Sequence, residues 1–353
     1  LSKVLIKHYL YRVEHTQRYA KCSTEHSVSA IEKSWYQPKS LLTFLLLPFS
    51  ILFWVISTLR RLSFKLGLSQ SFRAHVPVIV VGNIGIGGNG KTPFVLWLVP
   101  YLQSLGIKVA VISRGYGSKA PYYPYLVTRD SAVEEVGDEP FLLASRLDCP
   151  IVIGSDRQAS CELIKARFNV DVIISDDGLQ HYKMHRDIEL CIVDSQRRFG
   201  NGCLIPAGPL RELPTRLNSV DLVIENGAGA MLSYTLAQSG IYRVVDNKLV
   251  QQYPQQGVAV SAIGNPQRFE NSLSELGIEI VKTRHFRDHY AYGVDDFTEY
   301  NDLALFMTEK DAVKCQAFAK DNWYYLRVDA KPTEALQLSI KHILKQKEIH
   351  HGV

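Results

Sequence analysis

No two cysteines in this chain are spaced as CxxC: Cys22, Cys149, Cys161, Cys191, Cys203 and Cys315 are scattered singly. That offers neither a disulfide framework nor a cysteine zinc site, and reads as reduced thiols of an intracellular protein. A strong charge of either sign is also missing. The net charge is +5, of which the first thirty residues contribute +3 (Lys3, Lys7, Arg12, Arg18 and Lys21 against Glu14 and Glu25), so bulk charge marks no nucleic-acid surface. HExxH is absent too. The pairs His181/His185 and His285/His289 have i, i+4 spacing, but Tyr182, Lys183 and Arg287 stand where ligand chemistry would want a glutamate, so no histidine metal site is expected. The guanine-reading NKxD motif is lacking as well: Thr308-Glu-Lys-Asp311 has no Asn and sets Lys directly before Asp, which reads as a helix capped by Thr308.

What is present is apolar residue, 46% of 353, enough to bury the cores of two domains. The chain is organised around Val78-Ile-Val-Val-Gly-Asn-Ile-Gly-Ile-Gly-Gly-Asn-Gly-Lys-Thr92, a buried-strand run that breaks into glycines and restarts as a helix. From Gly85 it fits G-x-x-x-x-G-K-[ST]. Gly85, Gly87, Gly88, Asn89 and Gly90 let the backbone turn its amides onto a phosphate chain, with a helix N-terminus aimed at the same anion. Lys91 would reach the terminal phosphates, and the Thr92 hydroxyl would ligand magnesium.

Two segments precede this. Residues 1–30 are polar, mixed in charge and without apolar period, and are expected to form a poorly ordered extension that carries no function. Leu41 to Leu59 is uncharged throughout, preceded by Lys39 and followed by Arg60, Arg61 and Lys65. Its length matches a hydrocarbon core of about 30 Å. Pro48 and the flanking basic residues favour a helix lying in or dipping into one leaflet, with a helix buried in a soluble core as the other reading. No small-residue cleavage site follows it, which disfavours a signal peptide.

Beyond the glycine loop, strands alternate with helical segments through residue 225, which predicts a doubly wound, mostly parallel α/β sheet. Lys108 to Ser113 is a strand running into Arg114-Gly-Tyr-Gly117, so Arg114 either lies at the ligand-binding carboxyl edge or is a surface loop arginine. Asp138, before Glu139 and Pro140, is either a helix cap or a catalytic acid. Asn169 to Asp177 is an apolar strand delivering Asp176 and Asp177 at its tip, the arrangement in which an acid holds magnesium beside a P-loop. Arg197 to Glu212 is a long loop rich in Gly, Pro and Arg, as binding loops are. A composition change at Asn226-Gly-Ala-Gly-Ala230 separates 71–228, a P-loop domain, from 229–353, a smaller α/β domain; 31–70, before them, is a membrane-associated helix region.

With these segments goes a resemblance. Gly82 to Pro93, Ser113-Arg-Gly-Tyr-Gly117, Gly137-Asp-Glu-Pro140, Ser155-Asp-Arg157, Asp176-Asp-Gly-Leu-Gln-His181, Arg198-Phe-Gly-Asn-Gly202, Pro206 to Glu212, Gly264-Asn-Pro266, Asp288-His289 and Met307 to Val313 occur in the order found in the tetraacyldisaccharide 4'-kinase family, which the chain resembles from about Ile31 onward. The resemblance implies a P-loop NTPase-like fold and transfer of the ATP γ-phosphoryl group to the 4'-hydroxyl of an acylated disaccharide 1-phosphate in lipid A biosynthesis. It implies a Gram-negative bacterium and the cytoplasmic face of the inner membrane, with ATP and Mg2+ as cofactors and the membrane surface as partner. No nucleic acid and no protein partner is implied. By the same likeness Asp138 is the base that takes the sugar proton, supported by His289, with Asp177 coupled to it. Thr92, Asp176 and Glu212 serve the metal, and Arg114, Arg157, His181 and Arg211 face the substrate phosphate or the nucleotide. The competing readings are a P-loop ATPase or ligase acting on a soluble substrate, similar to dethiobiotin synthetase, and a nucleotide-binding switch protein.

Overall fold

The computed structural model describes residues 30–37 and 40–349. The extension expected over 1–30 lies outside the described residues apart from Ala30. The helices are α1 (Ala30–Trp35), α2 (Leu41–Lys65), α3 (Lys91–Ser104), α4 (Val133–Val136), α5 (Asp138–Arg146), α6 (Arg157–Arg167), α7 (Pro266–Glu275), α8 (Glu309–Cys315) and α9 (Glu334–Gln346). The strands are β1 (Val78–Gly82), β2 (Val109–Ser113), β3 (Tyr125–Val127), β4 (Ile151–Ile153), β5 (Val172–Asp176), β6 (Ile188–Asp194), β7 (Leu222–Asn226), β8 (Ser233–Arg243), β9 (Gln256–Ser261), β10 (Glu279–His285), β11 (Leu305–Thr308) and β12 (Trp323–Pro332).

All twelve strands join one sheet in the order β10-β9-β11-β12-β8-β7-β6-β1-β5-β2-β4-β3. The pairs are parallel except β3 with β4 and β12 with β8. Every residue of β1, β2, β5 and β6 is buried, because helices cover both faces of a doubly wound sheet and leave no side for polar alternation. β1 lies between β5 and β6, with Val81 opposite Asp176 and Gly82 opposite Cys191. The glycine loop and the paired aspartates therefore leave the sheet side by side at its carboxyl edge, where open α/β sheets bind ligands.

Buried apolar residues form two clusters on the β1 half and two on the half from β8 onward. The halves remain hydrogen-bonded, β8 to β7 through Glu225–Ser233 and Asn226–Tyr234, and β12 to β8 along nearly their full lengths. The last helix crosses back: Leu336, Ile340 and Leu344 of α9 pack in the cluster that holds Phe94 and Val99 of α3, and the Tyr101 hydroxyl donates to the Gln337 carbonyl at 3.0 Å.

Helix α2 reaches these cores through Phe53 but is otherwise largely exposed. Its 25 residues contain Pro48, have a window of mean hydropathy 2.2, and are long and apolar enough to cross a membrane. Only Ser50 is buried, whereas Phe44, Leu45, Phe49, Ile51 and Leu52 are more than half exposed, so α2 is not the core helix of a soluble domain. Ser50 pins it to the 203–207 loop by donating to the Leu204 carbonyl at 2.8 Å and accepting the Ala207 amide at 3.0 Å.

Candidate active site

The glycine loop leaves β1 and closes on the N-terminus of α3, with Gly87 at φ 104° and Gly90 at φ 88°, the left-handed region that side chains avoid. Gly90 is constrained by space as well: a Cβ there would come within 2.4 Å of both the Asn226 amide nitrogen and the Tyr234 hydroxyl. Those groups brace the loop from behind. The Tyr234 hydroxyl donates to the Gly90 carbonyl at 2.7 Å, and Asn226 Nδ2 donates to the Asn89 carbonyl at 3.2 Å. Tyr234 is fully buried against Phe94, so β7 and β8 hold the phosphate loop in shape.

At the head of α3, Lys91 Nζ lies 3.4 Å from Asp177, and Arg211 Nη1 meets both oxygens of Asp177 at 2.9 and 3.2 Å. Burial works to raise the Asp177 carboxyl, but the Lys91 and Arg211 charges outweigh it and hold it below its usual range. Asp176 is different. It is 2% exposed, its Oδ1 is buried without a hydrogen-bond partner, and burial with neighbouring Glu139 pushes its carboxyl up to about 7. Arg157, also buried, spends one nitrogen on the Asp176 carbonyl at 3.0 Å and leaves Nη1 unbonded. His181 lines the same wall with Nε2 unbonded; burial and the charges of Arg157 and Arg186 lower it to about 4, so it is neutral at pH 7. Glu212 accepts from Gln180 at 2.9 Å and from the Tyr182 hydroxyl, with Arg216 3.7 Å away. Arg114 is exposed at the rim and makes no side-chain hydrogen bond among the described residues.

The second cluster is built across the seam. Asp138 is not the cap of α5: that place belongs to Gly137, at φ 88°, and Asp138 opens the first turn with its carboxylate turned to the opposite half. His289, in the loop after β10 and itself at φ 59°, sets Nδ1 at 3.1 Å from both Asp138 oxygens. An ionised carboxylate can only accept, so Nδ1 carries the proton. Burial alone would raise Asp138, yet the His289 hydrogen bond and the Lys310 charge bring it down to about 2. The same bond raises His289 above its ordinary value against the effect of burial.

Lys310 is the residue sequence reasoning missed. Thr308 does cap α8, accepting the Asp311 amide at 3.3 Å, but the next turn also aims Lys310 at Glu139 (3.1 Å), Asp288 (3.5 Å) and Asp138 (3.7 Å). A lysine between two acids in Glu309-Lys-Asp311 is the local signal, and nothing local tells which carboxylates it meets. Asp177 and Asp138 are held by separate sets of cations, Lys91 with Arg211 and His289 with Lys310.

The glycine loop, both aspartate clusters and Lys310 line one continuous cleft of about 3690 Å³, which also takes in Trp54, Ile56, Arg60 and Arg61 of α2 and the Gly264–Arg268 turn. Among the described residues no three His, Cys, Asp or Glu side chains gather into a metal site of their own. The bare Asp176 oxygen, in the cleft that Thr92 also lines, nonetheless suits a hard cation that takes its other ligands from phosphate and water.

Comparison with known proteins bears on the family of the chain. The family model described as tetraacyldisaccharide-1-P 4'-kinase matches residues 42–345. Tetraacyldisaccharide 4'-kinase of Pseudoalteromonas translucida is 56% identical over 326 residues, 92% of this chain and 100% of the relative. That of Haemophilus influenzae is 50% identical over 306 residues, covering 85% and 92%. A crystal structure of LpxK from Aquifex aeolicus in complex with ATP superposes with a TM-score of 0.72 at 29% identity, covering 86% of this chain and 99% of that one.

Proposed function

The chain belongs to the tetraacyldisaccharide-1-phosphate 4'-kinase family, and from that premise we propose how its own residues carry out the transfer. The reaction moves the γ-phosphoryl group of ATP onto the 4'-hydroxyl of a tetraacylated disaccharide 1-phosphate in lipid A biosynthesis. The observation that carries the mechanism is the pair formed across the cleft by Asp138 and His289.

The acceptor hydroxyl approaches Asp138. As its oxygen bonds the γ-phosphorus, the bond from that phosphorus to the β-bridging oxygen breaks and ADP leaves. The hydroxyl proton passes to the Asp138 carboxylate, while His289 keeps its hydrogen bond to the acid and steadies it in both states. Lys91 leaves Asp177 to meet the terminal phosphates, and Asp177 with Arg211 lines the path of the transferred group. Arg157 offers a free nitrogen and His181 a neutral ring to the acceptor side, with Arg114 at the rim, where forked contacts to phosphate oxygens suit arginine. Thr92, Asp176 and Glu212 are the side chains that would hold magnesium, which would supply positive charge to offset that of the phosphates. The protein itself supplies mostly positioning.

We assign α2 to the cytoplasmic face of the inner membrane, where its exposed apolar side enters the bilayer and its Arg60 and Arg61 end meets the cleft. Residues 71–228, with α9 packed on them, and the rest of 229–353 then act as two lobes that carry Asp138 and His289 respectively. Neither the soluble-substrate reading nor the switch reading accounts for an exposed apolar helix lining the catalytic cleft. The test is incubation of purified protein with labelled ATP and the disaccharide 1-phosphate in mixed detergent micelles. A bisphosphorylated lipid is expected; ATP turnover that ignores both the lipid and the micelle would overturn the reading.

A further inference from the structure

Within the reading of Asp138 and His289 as base and partner, one more residue has a part. We propose that Lys310 is a positioning residue for the transfer: its ammonium group ties Asp138 and Glu139 on one lobe to Asp288 and His289 on the other, so that the pair assembles only where the lobes meet.

All three of its carboxylate partners are members of the pair or chain neighbours of one: Asp138, Glu139 beside it, and Asp288 beside His289. An ion pair serving general stability would have no reason to choose these. The side chain is 18% exposed, so its charge is little screened by solvent. Without it three carboxylates would converge with only His289 and the more remote charge of Lys314 to offset them, and their repulsion would part α5 from the loop.

The lysine is also presented rigidly. Asp311, fully buried one residue later, accepts from the Ala262 amide at 3.1 Å, the Thr308 hydroxyl at 2.6 Å and the Tyr292 hydroxyl at 3.1 Å. This joins the start of α8 to the end of β9 and to the loop that carries His289. Glu309, one residue earlier, pairs with Arg146 at 3.1 Å. Two adjacent residues of α8 thus grip opposite ends of α5, about 12 Å apart along its axis. The grip fixes the direction in which Asp138 faces.

The experiment compares Lys310→Met and Lys310→Arg in the full chain with wild type and Asp138→Ala, measuring kcat and KM for both substrates between about pH 5.5 and 9. Charged groups around the pair are Asp288 from the loop, Lys310 and Lys314 from α8 and Glu139 from α5. Removing the ammonium lets both Asp138 and His289 hold protons more readily, so the acid limb should move to higher pH. Lys310→Met is expected to lower kcat at least about tenfold with the KM for ATP nearly unchanged, and Lys310→Arg to restore most of the rate and the position of the limb.

A Lys310→Met enzyme with wild-type rate and acid limb overturns the inference. So does a KM for ATP that rises in step with the lost rate, which would make Lys310 a nucleotide contact. If Lys310→Met lacks an ATP-dependent rise in Tm and is not folded, the double variant Glu139→Gln with Asp288→Asn decides: a full rate there also overturns it. An active Asp138→Ala would instead bring down the base assignment on which this rests.

Discussion

Replacing Asp138 by Asn keeps shape and removes the charge, and three consequences can be worked out separately. The first is kinetic. An amide cannot take the sugar proton, and loss of a positioned general base costs about 10²–10⁴-fold in rate, equivalent to about 2.7–5.5 kcal/mol of barrier. The second is electrostatic. The hydrogen bond to Asp138 is the main reason His289 titrates above its ordinary value, so in the variant it should fall back, with burial and Lys310 both acting in that direction. The third is structural. Lys310 keeps Glu139 at 3.1 Å and Asp288 at 3.5 Å, so no cation is stranded and the lobes should stay together. Single-turnover transfer from labelled ATP reads the first, ¹⁵N-histidine NMR across pH the second, and calorimetric ATP affinity the third. A transfer rate within about tenfold of wild type, or ATP affinity falling in parallel with rate, would refute the assignment of the base.

Three further outcomes are expected. Tyr234→Phe removes one of two donors to the Gly90 carbonyl, the other being the Phe94 amide at 3.2 Å, and should cost about 0.5–1.5 kcal/mol in urea unfolding and raise the KM for ATP more than it lowers kcat; an unchanged KM would mean the hydroxyl does not brace the loop. Ser50→Ala removes both bonds that pin α2 to the 203–207 loop, so trypsin should cut at Arg60 and Arg61 faster than in wild type, and equal cleavage rates would reject the tether. Because His289 titrates above its unfolded value, its pairing with Asp138 stabilises the fold fully below about pH 6.5, and the benefit fades as pH rises through the raised value. The stability gap between wild type and His289→Ala, from urea unfolding at several pH values, should therefore shrink with rising pH; a gap that widens would contradict it.

Much of this architecture is legible in the residues, and what is hidden shares a cause. The strands of the β1 half announce themselves because parallel strands covered on both faces are continuous apolar runs, as in Val78–Gly82 and Ile188–Asp194. The glycine loop is legible because its chemistry is local. By contrast β8, Ser233–Arg243, is mostly half-buried and carries Gln238, Ser239 and Gly240 in mid-strand, so no period marks it; it exists because β12 lies antiparallel to it. Lys310 is hidden for the same reason, since its partners come from residues 138, 139 and 288. The glycine-rich step at 226–230 is visible, but that the strand after it returns a tyrosine to the phosphate loop is a property of pairing, not of composition.

The placement of α9 bears on the order in which the molecule can be made. Its Leu336, Ile340 and Leu344 complete the hydrophobic layer beneath the helix that begins at Lys91, so the nucleotide-binding half is discontinuous along the chain. A ribosome that has delivered the first 230 residues has delivered every candidate phosphate ligand but not the layer that seals them. At about 5–20 residues per second the wait lasts about 6 to 23 seconds, during which α3 has an uncovered face. The half of the enzyme synthesised first is thus the half that must finish last, and a chain cut short before α9 would carry an intact nucleotide motif on an open core.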